Sequence, residues 1–202
     1  EDDCLPCTDF FMFCDEMLDY YRFDNQIAHI GGSNYIKRAN PTDASYYFSS
    51  FTYVWGWATW RRVWEKYDVN IEKLNEGIST DFLSFLTKSY LYQFSLNSTF
   101  KAVKEGLINT WDYQYLFLNI YNKQMSIVPN YNLITNIGFN SNATHTVSDS
   151  PFANIPFDKI EFPIKHPKDK IVNKIADNYT LKCITPSRFK LYKSILKHYI
   201  KR

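Results

Sequence analysis

Five polar residues of the chain are of types that do chemistry. The chain begins with three acidic residues, Glu1, Asp2 and Asp3, and much later carries an isolated aspartate, Asp112, and an isolated histidine, His145, in turn-like sequence. Carboxylates are hard oxygen donors that suit Mg²⁺ or Mn²⁺, and an imidazole can complete such a ligand set. Because a carboxylate left off the metal is free to accept a proton, the combination indicates an enzyme that acts on a nucleotide-activated substrate.

Each of these features also has a plainer explanation. An acidic run is usually a solvated surface. Asp112 falls in the first turn of a predicted helix, where the helix macrodipole stabilises a carboxylate by roughly 0.3–1 kcal/mol. His145 stands between two threonines, where a hydrogen-bonded loop histidine is more common than a ligand. The chemical interpretation therefore depends on the features occurring together.

Hydrophobic spacing predicts the elements that must position these groups. A helix is expected from Thr8 or Asp9, because Phe10, Cys14, Met17, Leu18 and Tyr21 form one apolar stripe. Residues 26–30 read as a buried strand that ends at two glycines. The other predicted elements are an extended segment over 46–55, a short amphipathic helix from Trp57 carrying Trp60, Trp64 and Tyr67, a helix over 110–122, and an edge or hairpin strand over 125–134 that contains a proline.

Three further segments give weaker patterns. Residues 71–104 have mixed helical periodicity and are expected to serve packing. Residues 146–167 contain four prolines in polar sequence, which favours an extended tail over the surface. The segment 189–202 is predicted to be a basic amphipathic helix with Lys190, Lys193, Lys197, Lys201 and Arg202. It is expected either to contact an anionic membrane surface or to be a packed terminal helix with a solvated face.

Composition limits the classes of protein. The 202 residues suffice for one domain, and 45% of them are hydrophobic and 18% aromatic, as in a folded protein rich in rings. The formal net charge of +2 is too small for an extended nucleic-acid surface, so no nucleic-acid partner is expected. With no apolar run of about 20 residues and no signal pattern, a soluble cytoplasmic protein is predicted. Cys4 and Cys7 have the spacing of a zinc or redox pair, but no second pair follows, which favours reduced thiols.

The order of the motifs resembles a known family. The chain carries Glu1-Asp2-Asp3, then Trp55-Gly-Trp-Ala-Thr-Trp60 followed by Arg61 and Arg62, then Thr110-Trp-Asp-Tyr-Gln114, then Asn136-Ile-Gly138 and Ala143-Thr-His145. This ordered set resembles the C-terminal part of nucleotide-diphospho-sugar glycosyltransferases of the GT-A fold, with the bacterial family 2-like proteins most similar. The resemblance covers roughly residues 1–170, and the set is specific although each motif is weak alone.

The resemblance implies a fold and a division of the chain. It implies an α/β architecture leaning to α+β, namely the acceptor-side part of a three-layer GT-A fold whose nucleotide-binding half is missing from this sequence. Residues 1–170 form the glycosyltransferase-like part, and 171–202 form an extension with the basic helix. A preceding βαβ half is expected because ligands of α/β folds bind beyond the carboxyl ends of strands, whereas the acidic motif here has no strand before it.

The resemblance also implies site residues. The metal motif matches Asp3 with Glu1 or Asp2, and the late metal-binding histidine matches His145. The catalytic motif matches Asp112, and the residues for donor or acceptor binding are Gly56, Trp57, Trp111, Arg61 and Arg62. Two departures from the family's pattern are the Glu-Asp-Asp form of the metal motif and Trp111, which stands where many relatives have glutamate.

The implied reaction moves a sugar from a nucleoside diphosphate to a hydroxyl of a glycan or a lipid-linked acceptor. Mn²⁺ or Mg²⁺ bridges the donor phosphates and neutralises the charge of the leaving diphosphate. Asp112 deprotonates the acceptor hydroxyl, and attack from the opposite face inverts the anomeric centre. Two other functions remain open, a non-catalytic carbohydrate-binding domain, which the abundant aromatic residues favour, and a metal-dependent hydrolase that uses the same acids to activate water.

Overall fold

The computed structural model describes residues 2–36, 43–75, 80–139 and 153–184. The helices are α1 (Thr8–Tyr20), α2 (Arg61–Trp64), α3 (Tyr90–Lys104), α4 (Asp112–Tyr121) and α5 (Lys174–Ile184), with two 3₁₀ helices at Glu72–Asn75 and Thr80–Phe85. The strands are β1 (Cys4–Pro6), β2 (Ile27–Gly31), β3 (Tyr46–Ser49), β4 (Trp57–Ala58), β5 (Met125–Pro129) and β6 (Ile134–Asn136).

The strands form two open sheets. The larger has the order β3-β5-β2-β4, with β2 and β5 parallel and the outer strands antiparallel to their neighbours. The smaller pairs β1 with β6 in antiparallel register, so that Cys4 lies opposite Asn136. The described chain is therefore mixed α/β, as the sequence predicts.

Side chains of β3 alternate between two hydrophobic cores, because successive residues of a strand point to opposite faces of the sheet. Tyr46 and Phe48 pack in the core that contains the buried residues of α1. Tyr47 packs in a second core with residues of α3 and α4, such as Phe100 and Ile120. The larger sheet thus lies between α1 on one face and α3 and α4 on the other.

Helix α1 confirms the prediction from its apolar stripe. Phe10, Cys14 and Met17 are buried, and Phe13 is fully buried beside them. The helix ends one residue before Tyr21, whose hydroxyl hydrogen-bonds to that of Tyr46 on β3. This contact fixes the end of the helix to the larger sheet.

The prediction of a helix from Trp57 was wrong in its first four residues. Gly56 has a φ of 64°, a conformation that glycine adopts readily, and the chain turns there into β4. Trp57 then pairs with Gly31 in the sheet, and the helix begins only at Arg61. The helical spacing of the tryptophans is real, but strand pairing with a distant segment overrides it.

The strand predicted over 125–134 is two strands, and its edge position was wrong. Met125–Pro129 lies inside the larger sheet, between β3 and β2. Pro129 is tolerated because it is the last residue of β5, where a missing N–H matters least. The segment predicted to be extended over 46–55 keeps strand geometry only at Tyr46–Ser49.

Helix α5 was not predicted from the sequence. Its anchor is Asp177, a buried carboxylate that accepts hydrogen bonds from both hydroxyls of Ser49 and Ser50 at the end of β3. Burial raises the pKa of Asp177, and the serine hydrogen bonds oppose that rise. Ala176, Leu181 and Ile184 also pack on the second core, but they alternate with polar residues, so the local pattern gives little signal.

Two features near the C-terminus bear on membranes. Within the described ranges, no helix combines the length and the apolar character needed to cross a bilayer. The basic helix predicted over 189–202 lies outside the described residues. Residues 146–152 of the predicted proline-rich segment 146–167 also lie outside them. The membrane contact expected of that helix therefore stays a prediction.

Candidate functional site

Asp112 is the first residue of α4, and local hydrogen bonds orient its carboxylate. Its Oδ1 accepts hydrogen bonds from the main-chain N–H of Tyr113, at 2.9 Å, and from the hydroxyl of Thr110. The second oxygen, Oδ2, receives no hydrogen bond from the residues that the structure describes. The side chain is only partly buried, so within the described part of the chain the carboxylate is fixed through Oδ1 and open at Oδ2.

A cleft with a volume of about 400 Å³ opens at this carboxylate. Its walls are rich in aromatic residues and come from five parts of the chain, with Tyr35, Trp55, Tyr92 and Tyr113 beside Asp112. The rings of Tyr35 and Trp55 meet edge to face, with centroids 5.7 Å apart. Ser95 and Thr99 on α3 add hydroxyls. We call this space the aromatic cleft.

The tyrosines of the aromatic cleft are neutral. Burial raises the pKa of Tyr35, Tyr92 and Tyr113 above that of an exposed tyrosine, and the charge of Asp112 raises that of Tyr113 further. Their hydroxyls therefore keep their protons at pH 7 and can both donate and accept hydrogen bonds. Aromatic faces with neutral hydroxyls at their edges suit a sugar ring, which has apolar C–H faces and a polar rim.

The N-terminal acidic motif approaches this region from the other side of Trp55. The carbonyl of Asp3 accepts a hydrogen bond of 2.9 Å from the main chain of Ile137, which continues the pairing of β1 with β6. The next residue, Gly138, lies against the Asp3 carboxylate. Phe139 then packs its ring against Trp55 at 5.4 Å. A continuous series of contacts thus joins Asp3 to the wall of the aromatic cleft.

Gly138 provides the space that the Asp3 carboxylate occupies. A Cβ atom built at Gly138 would lie 2.4 Å from Oδ2 of Asp3, far closer than two such atoms can approach. Asp2 and Asp3 are both exposed, and their oxygens are the donor type that Mg²⁺ and Mn²⁺ prefer. These two residues fit a divalent cation as part of its ligand set. Glu1 and His145, the other predicted ligands, lie outside the described residues.

No complete metal site is assembled by the described residues alone. Among them, no group of three or more histidine, cysteine, aspartate or glutamate side chains gathers closely enough to hold an ion. Asp2 and Asp3 supply two carboxylates, so a full shell requires the undescribed ligands or oxygens of the substrate. The metal therefore stays a prediction for which the donors present are suitable.

Trp57 and Trp111, two residues predicted to bind donor or acceptor, pack together instead of lining the aromatic cleft. Their rings stack with centroids 5.3 Å apart. Trp57 also stacks on the buried His29 and contacts Tyr115, while Tyr67 donates a hydrogen bond to the carbonyl of Trp111. We call the rings of Trp57, Trp64, Tyr67, Trp111 and Tyr115 the tryptophan cluster.

Gly56 acts as the turn that separates these two regions. A Cβ atom at Gly56 would lie 2.2 Å from a methyl of Ile134, and its carbonyl accepts a hydrogen bond of 2.7 Å from Gly32. Trp55 before this turn faces the aromatic cleft, and Trp57 after it faces the tryptophan cluster. Gly56 therefore positions a binding residue without lining the cleft itself.

The two arginines after the tryptophan motif have different environments. Arg62 donates hydrogen bonds of 3.0–3.1 Å to the carbonyls of Tyr21, Arg22 and Ile27, and its guanidinium lies over the ring of Trp60. These contacts tie α2 to the end of α1, which is a structural role. Arg61 is exposed. Neither lines the aromatic cleft.

Sequence reasoning missed most of the cleft. Trp55 was present in the quoted motif, but it was not distinguished from its neighbours. Tyr35 and Tyr92 lie in segments with no readable pattern, and their relevance comes only from meeting across the fold. Tyr113 was adjacent to the predicted catalytic residue, and it lines the cleft together with Asp112.

Comparison of the chain with protein-family models, with curated proteins and with solved structures found no match in any of the three. The resemblance to glycosyltransferases is thus a hypothesis that the order of the motifs supports.

Proposed function

We propose that the chain belongs to a metal-dependent glycosyltransferase that moves a sugar from a nucleoside diphosphate to a hydroxyl of a glycan or glycolipid acceptor. The observation that carries the proposal is the Asp112 carboxylate, which is fixed through Oδ1 and open at Oδ2 in an aromatic cleft the size of a sugar unit. The GT-A architecture that the motifs imply is part of the same proposal.

In the proposed reaction, the acceptor sugar lies in the aromatic cleft with an apolar face on Trp55 or Tyr35. Its reacting hydroxyl donates a hydrogen bond to Oδ2 of Asp112. As the hydroxyl oxygen attacks the anomeric carbon of the donor, its proton passes to Asp112 and the bond from that carbon to the diphosphate breaks. General-base help of this kind contributes roughly 10²–10⁴ in rate. Attack opposite the leaving group inverts the anomeric configuration.

The acidic motif would face the donor. Asp2 and Asp3, with the carboxylate of Asp3 set against Gly138, are the described residues that would hold Mn²⁺ or Mg²⁺. The cation supplies neutralisation of the charge on the leaving diphosphate. Phe139, the residue after Gly138, contacts Trp55 in the wall of the cleft. The donor at the acidic motif and the acceptor in the cleft would therefore both lie next to this tryptophan.

A carbohydrate-binding domain without catalysis is the second candidate. The aromatic walls of the cleft favour it, since sugar-stacking rings and neutral hydroxyls serve binding as well as catalysis. The two functions differ in what Asp112 does, because a binding domain needs no proton acceptor with a free oxygen.

The test is the substitution Asp112→Asn in the full-length protein. Asparagine keeps the shape and the acceptor for the Tyr113 N–H but removes the basic oxygen, so acceptor-dependent release of nucleoside diphosphate should fall by about 10²–10⁴. Binding of the acceptor, measured by calorimetry, should persist. The matched control is Asp15→Asn on the exposed side of α1, which should leave both unchanged.

Each outcome of this test is informative. Turnover that survives Asp112→Asn within about threefold would exclude Asp112 as the base. Glycan binding with no turnover across a panel of nucleoside-diphosphate sugars and Mn²⁺ would favour the binding domain. Release of free sugar without an acceptor would indicate a hydrolase.

A further inference from the structure

We propose that a second pocket, on the side of α4 away from the aromatic cleft, binds a small polyhydroxylated anion such as a sugar phosphate. The residues of α4 that line it are Gln114, Phe117, Leu118 and Tyr121, whereas Asp112, Tyr113 and Leu116 line the cleft. At about 100° per residue, these two sets lie on nearly opposite sides of the helix. The pocket is therefore a separate site.

The side-chain oxygen of Gln114 is a hydrogen-bond acceptor to which no described group donates. The side chain is 5% exposed, and its Nε2 donates a hydrogen bond of 2.7 Å to the carbonyl of Thr110. That bond fixes the amide, and its Oε1 is buried with no hydrogen-bond partner among the described residues. Buried polar atoms are normally paired. Gln114 lines the pocket, so a donor on a bound ligand is the partner that we assign to this oxygen.

Two lysines give the pocket a positive wall. Lys66 and Lys73 line it opposite α4, and the only acidic residue in the lining is Asp68. Both oxygens of Asp68 already accept main-chain hydrogen bonds, from Asn70 at 2.9 Å and Glu72 at 2.6 Å. No ion pair within the described residues joins Asp68 to either lysine. The ammonium groups therefore remain available to an anion.

The remaining lining suits a hydroxylated ligand. Tyr121 stacks on Phe117 with ring centroids 5.6 Å apart, and the Nζ of Lys73 lies 4.9 Å from its ring centre, so the ring holds this lysine at the pocket. The amide of Asn122 donates to the carbonyl of Leu118, which leaves its oxygen as a second acceptor. The volume of about 210 Å³ equals roughly seven waters at ~30 Å³ each, enough for one phosphorylated monosaccharide. Cations and amide acceptors together select an oxyanion that also carries hydroxyl donors.

This site stands independently of the proposed transferase. It shares no lining residue with the aromatic cleft, and its occupancy requires neither Asp112 nor the acidic motif. A failed activity assay therefore leaves it unaffected, and a failed binding test here leaves the transferase proposal unaffected.

The experiment titrates the full chain with glucose 1-phosphate and follows binding by calorimetry and by amide chemical shifts. Glucose and inorganic phosphate are titrated separately, to distinguish recognition of the whole ligand from that of either part. We expect glucose 1-phosphate to bind at least fivefold more tightly than both, with the largest shifts around Gln114 and Tyr121. Because surface charges contribute, the affinity should fall as ionic strength rises.

Variants separate the site from general charge effects. The double substitution Lys66→Met and Lys73→Met changes exposed residues, so the fold should be retained while affinity drops about fivefold or more. Gln114→Met should weaken binding of glucose 1-phosphate more than that of phosphate, since it removes the amide acceptor and leaves both lysines in place. Lys101→Met, on the exposed side of α3, is the matched control and should bind as the unaltered chain does.

Three results would overturn the proposal. One is equal affinity for phosphate and glucose 1-phosphate, which indicates an adventitious ion only. Another is an affinity that the double lysine variant leaves unchanged. The third is a set of chemical shift changes centred away from α4.

Discussion

The aromatic cleft and the tryptophan cluster lie on two sides of Gly56 and are built from the same residue types, yet one is hollow and the other is filled. In the cluster, Trp57 and Trp111 stack at 5.3 Å and Tyr115 is fully buried beneath them. In the cleft, Trp55 and Tyr35 leave about 400 Å³ between themselves and α4. Rings that pack against one another stabilise the fold, whereas rings that line a cavity are available to a ligand.

The difference also lies in the polar groups that accompany the rings. The cleft contains a carboxylate with one open oxygen, on Asp112. The polar group beside the tryptophan cluster is His29, which is completely buried and stacks on Trp57. Its Nε2 donates a hydrogen bond of 2.9 Å to the carbonyl of Tyr53. Burial lowers the pKa of His29 to about 4, so this imidazole is neutral at pH 7. An abundance of aromatic residues therefore predicts a ligand site only when an accessible polar group accompanies it.

The largest expected effect is the destabilisation of the fold by Trp57→Ala. Removing this ring leaves a cavity among four aromatic neighbours, so the free energy of unfolding should fall by about 3–5 kcal/mol. Urea denaturation measures the change. The matched variant is Trp55→Ala, which should cost less because the cleft is already open on one side. Equal losses for both variants would contradict the distinction between a filled and a hollow region.

Acid should destabilise the protein through His29. The folded pKa of about 4 lies below the ordinary value of 6.5, so the stabilisation is complete above pH 6.5 and is lost as the pH falls toward 4. The shift corresponds to about 3 kcal/mol at most. Urea denaturation at several pH values measures this slope. Its control is His29→Gln, which cannot titrate and should have a flatter dependence between pH 6.5 and 4; an unchanged slope would assign the acid sensitivity to other groups.

The smallest expected effect on stability is that of Tyr92→Phe in the cleft. The hydroxyl of Tyr92 makes no hydrogen bond with the described residues, so its removal should change the free energy of unfolding by less than about 0.5 kcal/mol. Binding of a glycan should nevertheless weaken by up to about fivefold, because one neutral hydrogen bond is lost. Calorimetry with an oligosaccharide checks this. A large loss of stability would mean that the hydroxyl has a structural role.

Local patterns predicted those elements whose apolar residues all face one neighbour. The stripe of Phe10, Cys14 and Met17 predicted α1 to within one residue at its end. The helix predicted over 110–122 was also confirmed, as Asp112–Tyr121. The prediction failed at Trp57, because pairing with Gly31 across the sheet outweighs the helical spacing of the tryptophans. It also missed α5, which is held by the buried Asp177 together with a few apolar residues such as Ala176.

The candidate site was predictable only in its charged residues. Asp112 is an isolated carboxylate in turn-like sequence and the acidic start is a run of three acids, so residue type and position alone marked them as candidates. Tyr35 and Tyr92 are two of 16 tyrosines, and nothing in the local sequence separates them from the others. Their role depends on a meeting of segments more than 50 residues apart, which no short-range pattern contains.

The sequence by itself determined the mixed α/β class, a helix with Asp112 in its first turn, and the presence of carboxylates suited to a divalent cation. Only the tertiary structure decided which tryptophans are packed and which line a cavity, and that Gly138 makes room for Asp3. The physical reason is range. Propensity and periodicity act between residues a few positions apart, whereas a cavity is the space left by elements whose packing partners are set by the whole fold.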